Sequence, residues 1–139
     1  MSIPSPAHIL VIDEIPLIAV GLQEVFRMIH PDVRLEYTES PFTALSSPAF
    51  GGKSWDLIVL GAPEQSLPGS LLLPAAELKA KFAGCRIMIY TDTFDPALIA
   101  QLRSGAIDAC VHKHEAADEI VKAWRHLSAG KTYLSPKFA

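Results

Sequence analysis

Residues 56–61 read DLIVLG, so that a run of four apolar residues ends in a glycine. A continuous apolar run of this length is typical of a strand buried on both faces of a parallel sheet. Gly61 ends that strand at its carboxyl end, which is the edge where parallel α/β sheets place their binding sites. The residue at this edge therefore has no side chain, although the neighbouring strand ends carry polar groups.

Polar side chains follow three other predicted strands: Asp13, Glu14, Thr91 and Lys113. Because the carboxyl ends of parallel strands share one edge of the sheet, we expect these groups to meet beside Gly61. Acidic oxygens suit Mg²⁺, and a hydroxyl with an ammonium suits phosphate oxygens. The sequence thus predicts a phosphate-and-metal pocket in which the position of a nucleophilic carboxylate is empty.

Strand-like apolar runs alternate with segments of helical period along the whole chain, which indicates a βαβ series. The predicted strands are residues 9–12, 33–37, 56–60, 86–90 and 107–112. The predicted helices are residues 16–29, 40–45, 74–82, 96–104 and 116–129, and residues 48–52 are predicted as a helix-breaking region. This pattern predicts an α/β fold with a doubly wound, five-stranded parallel sheet of order 2-1-3-4-5 and five helices.

Composition limits the class of protein. The 139 residues fit a single domain, and half of them are apolar, which excludes a disordered chain. The net charge of −3 gives no electrostatic footprint for nucleic acid. Cys85 and Cys110 are too few for a disulfide framework, and no apolar run approaches the roughly 18 residues that span a bilayer. We expect a soluble cytoplasmic domain that does not contact a membrane.

The spacing of the polar residues resembles that of the receiver domain of two-component response regulators, the CheY-like proteins. Thr91 lies 30 residues after Gly61, and Lys113 lies 22 residues after Thr91, as in that family. Gly69 matches a glycine eight residues beyond the family's phospho-acceptor. Residues 9–17 and 129–136 are similar to the NarL/FixJ (LuxR-type) class. That resemblance implies that residues 130–139 begin a linker to an output domain that is absent from this chain.

The chain departs from the receiver pattern where the family's chemistry takes place. Gly61 stands in place of the phospho-accepting Asp, and Gln65 replaces a proline. Cys110 stands where the family has the aromatic residue that rotates on activation, whereas an aromatic, Tyr90, lies beside Thr91. The resemblance with these departures implies an atypical, degenerate receiver that is independent of phosphorylation and is not an enzyme.

In this interpretation the remnant pocket consists of Asp13, Glu14, Gly61, Thr91 and Lys113. One charge about 4 Å from a cation contributes roughly 4 kcal/mol at an effective dielectric constant of 20, so losing one of three carboxylates weakens metal binding greatly. Asp13 and Glu14 would hold Mg²⁺ only weakly, and we expect no other cofactor. Lys113 would instead form a salt bridge to Asp13 or Glu14 and hold the pocket shut.

Several residues have other interpretations. Asp13 and Glu14 also fit a plain solvated turn, and Glu64 and Asp92 are acids near the rim but away from the acceptor position. His112 and His114 are two residues apart and could ligate a metal, but no third ligand is evident and ordinary surface histidines explain them better. Cys85 and Cys110 are expected to be core thiols.

The leading hypothesis is a signalling domain of a LuxR-type transcriptional regulator in a two-component or phosphorelay context, acting by protein–protein contact. It would self-associate through the first and last helices and read DNA only through the absent output domain. The apolar stripe of the last helix (Ile120, Trp124 and Leu127) is first of all core. The alternatives are a stand-alone adaptor, a sensor that binds a small molecule in the vacated space near Thr91 and Lys113, and a phosphatase with Asp13 as its nucleophile. In the phosphatase, the position expected to hold the second acid is occupied by Ile15.

Overall fold

The computed structural model describes residues 7–63 and 66–138, and in these ranges a parallel sheet lies between two layers of helices. Six strands form the sheet: β1 His8–Ile12, β2 Arg34–Thr38, β3 Leu57–Gly61, β4 Arg86–Thr91, β5 Ala109–His112 and β6 Tyr133–Leu134. Their order is β2-β1-β3-β4-β5-β6, and every neighbouring pair is parallel. The fully buried β3 occupies the third position, as its continuous apolar run predicts.

Six α-helices connect the strands of the described chain: α1 Pro16–Ile29, α2 Pro41–Ser46, α3 Pro48–Gly51, α4 Leu72–Lys81, α5 Pro96–Ser104 and α6 Asp118–Ser128. Four of them begin with proline at the first helical position, where its missing N–H costs nothing. Local side chains cap three starts: Ser40 Oγ accepts from Thr43 N–H, Ser47 Oγ accepts from Ala49 N–H, and Asp95 Oδ1 accepts from Ala97 N–H. Gly105, with a φ of 83°, ends α5 as predicted.

The predicted parallel α/β sheet is confirmed, but the prediction of five strands and five helices is wrong. The sixth helix is the single turn α3, which lies in the predicted breaker region because Ser47 caps it and Pro48 fits its first position. The sixth strand is β6, which has only two residues and therefore no periodicity that a sequence could display. Helix α4 begins two residues before Pro74, so this proline lies in its first turn.

The predicted linker segment, residues 130–139, is packed onto the domain in its described part. Tyr133 N–H donates to Asp108 O and Ser135 N–H donates to Cys110 O, which places β6 beside β5. A 3₁₀ turn follows at Pro136–Phe138, and the Phe138 ring is buried. Residues 133–138 are therefore packed against the domain.

Side chains alternate along the strands between two hydrophobic cores. Ile9, Val11 and Val59 face α1 and α6, where they pack with Phe26 and Trp124. The opposite face packs against the helices between β2 and β5 and includes the Cys110 thiol and the Phe138 ring. In the part of the chain that the structure describes, no helix is both long and apolar enough to cross a membrane.

Candidate functional site

The carboxylate of Asp13 occupies the space that a side chain at position 61 would fill. A Cβ placed on Gly61 would lie 1.9 Å from Asp13 Oδ2 and 2.7 Å from Asp13 Cγ, far inside contact distance. Asp13 follows β1 and Gly61 ends β3, and these strands are paired neighbours. The absent side chain at position 61 therefore makes room for a buried acid from the adjacent strand.

Both carboxylate oxygens of Asp13 face protein donors. Oδ1 accepts a hydrogen bond from Ile15 N–H at 2.9 Å, and Oδ2 lies 3.1 Å from Lys113 Nζ. The second contact is an ion pair rather than an aligned hydrogen bond, since Oδ2 lacks a partner of good hydrogen-bond geometry. The side chains of Asp13 and Lys113 are 1% and 16% exposed, so salt screens their attraction little. The predicted salt bridge from Lys113 to Asp13 or Glu14 is confirmed, and its partner is Asp13.

The Lys113 ammonium has two further contacts at the same edge. It donates to Ala62 O at 3.0 Å, and it lies 5.8 Å from the centre of the Tyr90 ring. Burial raises the pKa of Tyr90, and the negative charge of Asp13 raises it further. A carboxylate, a carbonyl and a ring face therefore surround the cation, and together they tie the carboxyl ends of β1, β3, β4 and β5.

Hydrogen bonds with two residues of β2 hold the backbone of Asp13 in place. Tyr37 donates its hydroxyl hydrogen to Asp13 O at 2.6 Å, and Asp13 N–H donates to Thr38 O at 3.2 Å. Desolvation raises the pKa of Tyr37, with smaller contributions from Asp13 and Glu39, so the phenol stays protonated as a donor. The acid is thus held at its main chain as well as at its side chain.

Three other predicted site residues have different surroundings: two lie at the same edge, and Cys110 lies in the core. Thr91 is buried, and its Oγ1 accepts a hydrogen bond from Thr93 N–H at 3.2 Å, within its own turn. Glu14 is exposed, unlike Asp13 before it. Cys110 is buried, and desolvation raises the pKa of its thiol to about 12, so a small neutral group fills this core position. Cys85 is also a buried free thiol, as predicted.

The donor set does not fit a resident magnesium ion. Mg²⁺ requires several oxygen ligands in near-octahedral geometry. Asp13 turns its oxygens toward Ile15 and Lys113, and Gly61 supplies no oxygen from a side chain. Within residues 7–63 and 66–138, no group of three or more His, Cys, Asp or Glu side chains is placed to hold a metal. The predicted weak Mg²⁺ site at Asp13 and Glu14 therefore has no supporting geometry.

The remaining candidates are surface or boundary residues. Asp92 Oδ2 lies 3.7 Å from His114 Nε2 in an exposed pair. The His112 Nδ1 atom accepts a hydrogen bond from His114 N–H at 3.0 Å, so the lone pair of this nitrogen is not available to a metal. Glu64 and Gln65 lie outside the described residues.

A cavity of about 240 Å³ lies beside Gly61, and Lys113 is not among its lining residues. Its lining includes Gly61, Leu71, Ser40 and the two acids Glu14 and Glu39. The small-molecule sensor hypothesis placed its ligand beside Lys113, but the Asp13 carboxylate fills that space. The 240 Å³ cavity is lined by two carboxylates, whose negative charge would repel a phosphate group.

Sequence reasoning identified the members of the pocket but missed how it closes. The occupation of the Gly61 space by Asp13 was not predicted, although a glycine opposite a buried acid is a signal of such a close approach. The Tyr37 hydroxyl and the Ala62 carbonyl were missed as well. A backbone acceptor has no sequence signature, and Tyr37 is distant from Asp13 in the chain.

Solved structures support the fold assignment. A LuxR-family two-component response regulator from Aurantimonas sp. SI85-9A1 matches with a TM-score of 0.76 and 20% identity, over 96% of this chain and 93% of that one. The isolated receiver (REC) domain of RcsB from Salmonella enterica serovar Typhimurium, in the presence of the phosphomimetic BeF3−, matches at 0.74 and 18%, over 96% of both chains. A structure of two RcsB dimers bound to two parallel DNAs matches at 0.73 and 19%, over 96% of this chain and 66% of that chain.

No protein-family profile matches the sequence, and no curated protein matches it. The structural matches therefore establish the fold, which is that of a response regulator receiver domain. The chain spans only about two thirds of the RcsB chain in the DNA complex, so the activity of that longer protein does not transfer with the fold.

Proposed function

We propose that this chain is a phosphorylation-independent receiver-like domain that acts in signal transduction and transcription regulation by protein–protein contact, without enzymatic activity or a resident cofactor. The observation that supports this is the buried Asp13–Lys113 ion pair beside Gly61. Phosphoryl transfer to a receiver needs an accessible acceptor carboxylate and a cation free to bind phosphate oxygens. Here the acid that faces the cation is enclosed, and the cation is neutralised by it.

The proposed output is self-association through α1 and α6, the first and last helices. Helix α1 exposes large apolar side chains, with Leu17 at 73% and Met28 at 81% exposure. A groove of about 270 Å³ lies between the two helices, and its lining includes Leu17, Gly21 and Ile120. Exposed apolar surface of this kind marks interaction sites on otherwise polar proteins.

A second copy of the chain is the proposed occupant of this groove. Helix α6 begins with acidic residues, including Asp118, and ends with basic ones, including Arg125. Two copies of α6 that face each other in antiparallel orientation would pair opposite charges about a two-fold axis. DNA would be read by an output domain or by a partner protein, as neither the charge nor the site of this domain suits nucleic acid.

Sedimentation equilibrium tests the proposal. We expect the protein to dimerise with concentration, and we expect Leu17→Asp to raise the dimer dissociation constant by at least about tenfold, because a charge would be buried in the contact. Acetyl phosphate with Mg²⁺ should leave the dissociation constant unchanged. The matched control is Leu73→Asp, an equally exposed leucine on α4. A monomer at all concentrations, or equal effects of the two variants, would contradict the proposed face.

A further inference from the structure

Residues 133–138, here called the strap, cover the outer edge of β5. Strand β6 lies beside β5 in parallel register, so that β5 is not an open edge. Ser135 is completely buried, and its Oγ accepts a hydrogen bond from His112 N–H at 3.0 Å, in place of the next backbone carbonyl. Unprotected strand edges invite pairing with other chains, so a strap of this kind controls access to β5.

The strap is attached to the turn that carries Lys113. On one side of Lys113, the backbone of His112 bonds to Ser135, and the His112 ring lies 5.1 Å from the Phe138 ring. On the other side, Glu115 Oε1 accepts from Lys137 N–H at 3.0 Å. Lys113 itself is held inward by Asp13 and Ala62. The residues that flank the buried cation therefore hold the strap.

A second attachment joins the strap to α6. The hydroxyl of Tyr133 donates to Glu119 Oε1, and the Tyr133 ring lies 4.8 Å from the His126 ring. This attachment involves no residue of the 112–115 turn. The strap is therefore held at the 112–115 turn, at Cys110 through Ser135 N–H, and at α6 through Tyr133. Only the first of these attachments involves residues that flank Lys113.

We propose that the strap is a conformational device that responds to the Asp13–Lys113 ion pair: displacement of the pair moves the 112–115 turn and releases residues 135–138 from β5. A cation that loses its buried partner moves toward water, and the turn moves with it because Lys113 is part of that turn. The Ser135 Oγ and Lys137 N–H contacts are made to residues on either side of Lys113, so they are lost when the turn moves. Release uncovers the edge of β5 beside Ser135 and the Phe138 ring. This inference is independent of the α1–α6 contact proposed above.

Hydrogen exchange of individual amides tests this coupling. In Asp13→Asn, which removes the negative charge and keeps the shape, we expect the Ser135, Lys137 and Phe138 amides to exchange at least about tenfold faster than in the unmodified protein. The Val59 amide in β3 reports global unfolding and normalises the comparison. The control Glu24→Gln disrupts an exposed ion pair on α1 and should leave the strap amides unchanged.

A second variant displaces the ion pair without removing either charge. A Cβ at Gly61 collides with Asp13 Oδ2, so Gly61→Ala should speed exchange at the same strap amides, whereas a Cβ at Gly51 meets nothing within 4 Å and Gly51→Ala should not. If Asp13→Asn fails to fold, exchange of the strap amides in Gly61→Ala alone tests whether the strap depends on the ion pair. Strap amides that stay as protected as in the unmodified protein, or that speed up only as much as Val59, would overturn the proposal.

Discussion

Replacing Asp13 with Asn is expected to lower the free energy of unfolding by about 3 kcal/mol, because it leaves the Lys113 ammonium largely enclosed without its charge partner. Asn has nearly the same shape, so the packing around Gly61 is kept and the loss reports the missing charge. The carbonyl of Ala62 and the ring of Tyr90 remain as neutral partners and limit the loss. Urea unfolding measures the effect as a shift of the midpoint at constant slope.

The control for this prediction is Glu24→Gln. Glu24 pairs with Arg27 on the surface of α1, and both side chains are more than half exposed. Exposed pairs contribute roughly 0–1 kcal/mol, so the control should cost far less than Asp13→Asn. Equal losses in the two variants would mean that the Asp13–Lys113 pair is no more important to stability than a surface contact.

Replacing Gly61 with Asp is expected to destabilise the domain by more than about 3 kcal/mol, since overpacking and a second carboxylate act together. The new Cβ would lie 1.9 Å from Asp13 Oδ2 and 3.1 Å from Asp13 Cβ, so Asp13 has to leave its place. Gly51→Ala, in open space, should change stability by less than about 0.5 kcal/mol. The same unfolding experiment measures both variants.

A double-mutant cycle separates this collision from any general cost of a side chain at position 61. Asp13→Ala removes the atoms that the carboxylate introduced by Gly61→Asp would strike, and it returns a single carboxylate to Lys113. We therefore expect Gly61→Asp with Asp13→Ala to be more stable than the sum of the single losses by roughly 2 kcal/mol. Additive losses would show that the two positions do not compete for one space.

The sequence was sufficient to predict the parts of the structure that repeated patterns specify. The apolar runs of β1, β3 and β4 and the proline-started helices α1 and α5 are continuous signals, and the structure contains each of them within about two residues. β6 has two residues and α3 has one turn, so neither presents a period. Strand β6 depends on contacts with distant residues, such as that of Ser135 with Cys110.

In the candidate site, too, the sequence predicts which residues meet but not the contacts that each side chain makes. The carboxyl ends of the predicted parallel strands indicated that Asp13, Thr91 and Lys113 would meet at one edge with Gly61, and the structure places all four there. The sequence could not predict the orientation of the Asp13 side chain, because that orientation depends on the hydrogen bond from Ile15 N–H and on the free space at Gly61. Thr91 bonds to its own turn for an equally local reason.

Intact-mass measurement after incubation with acetyl phosphate and Mg²⁺ tests most directly whether the pocket is closed to phosphoryl transfer. A receiver with an accessible acceptor would gain about 80 Da as an acid-labile acyl phosphate. We predict that the mass stays unchanged, since Gly61 offers no carboxylate and the Asp13 carboxylate is enclosed against Lys113. A stable adduct of that mass on any residue of the folded protein would contradict the account.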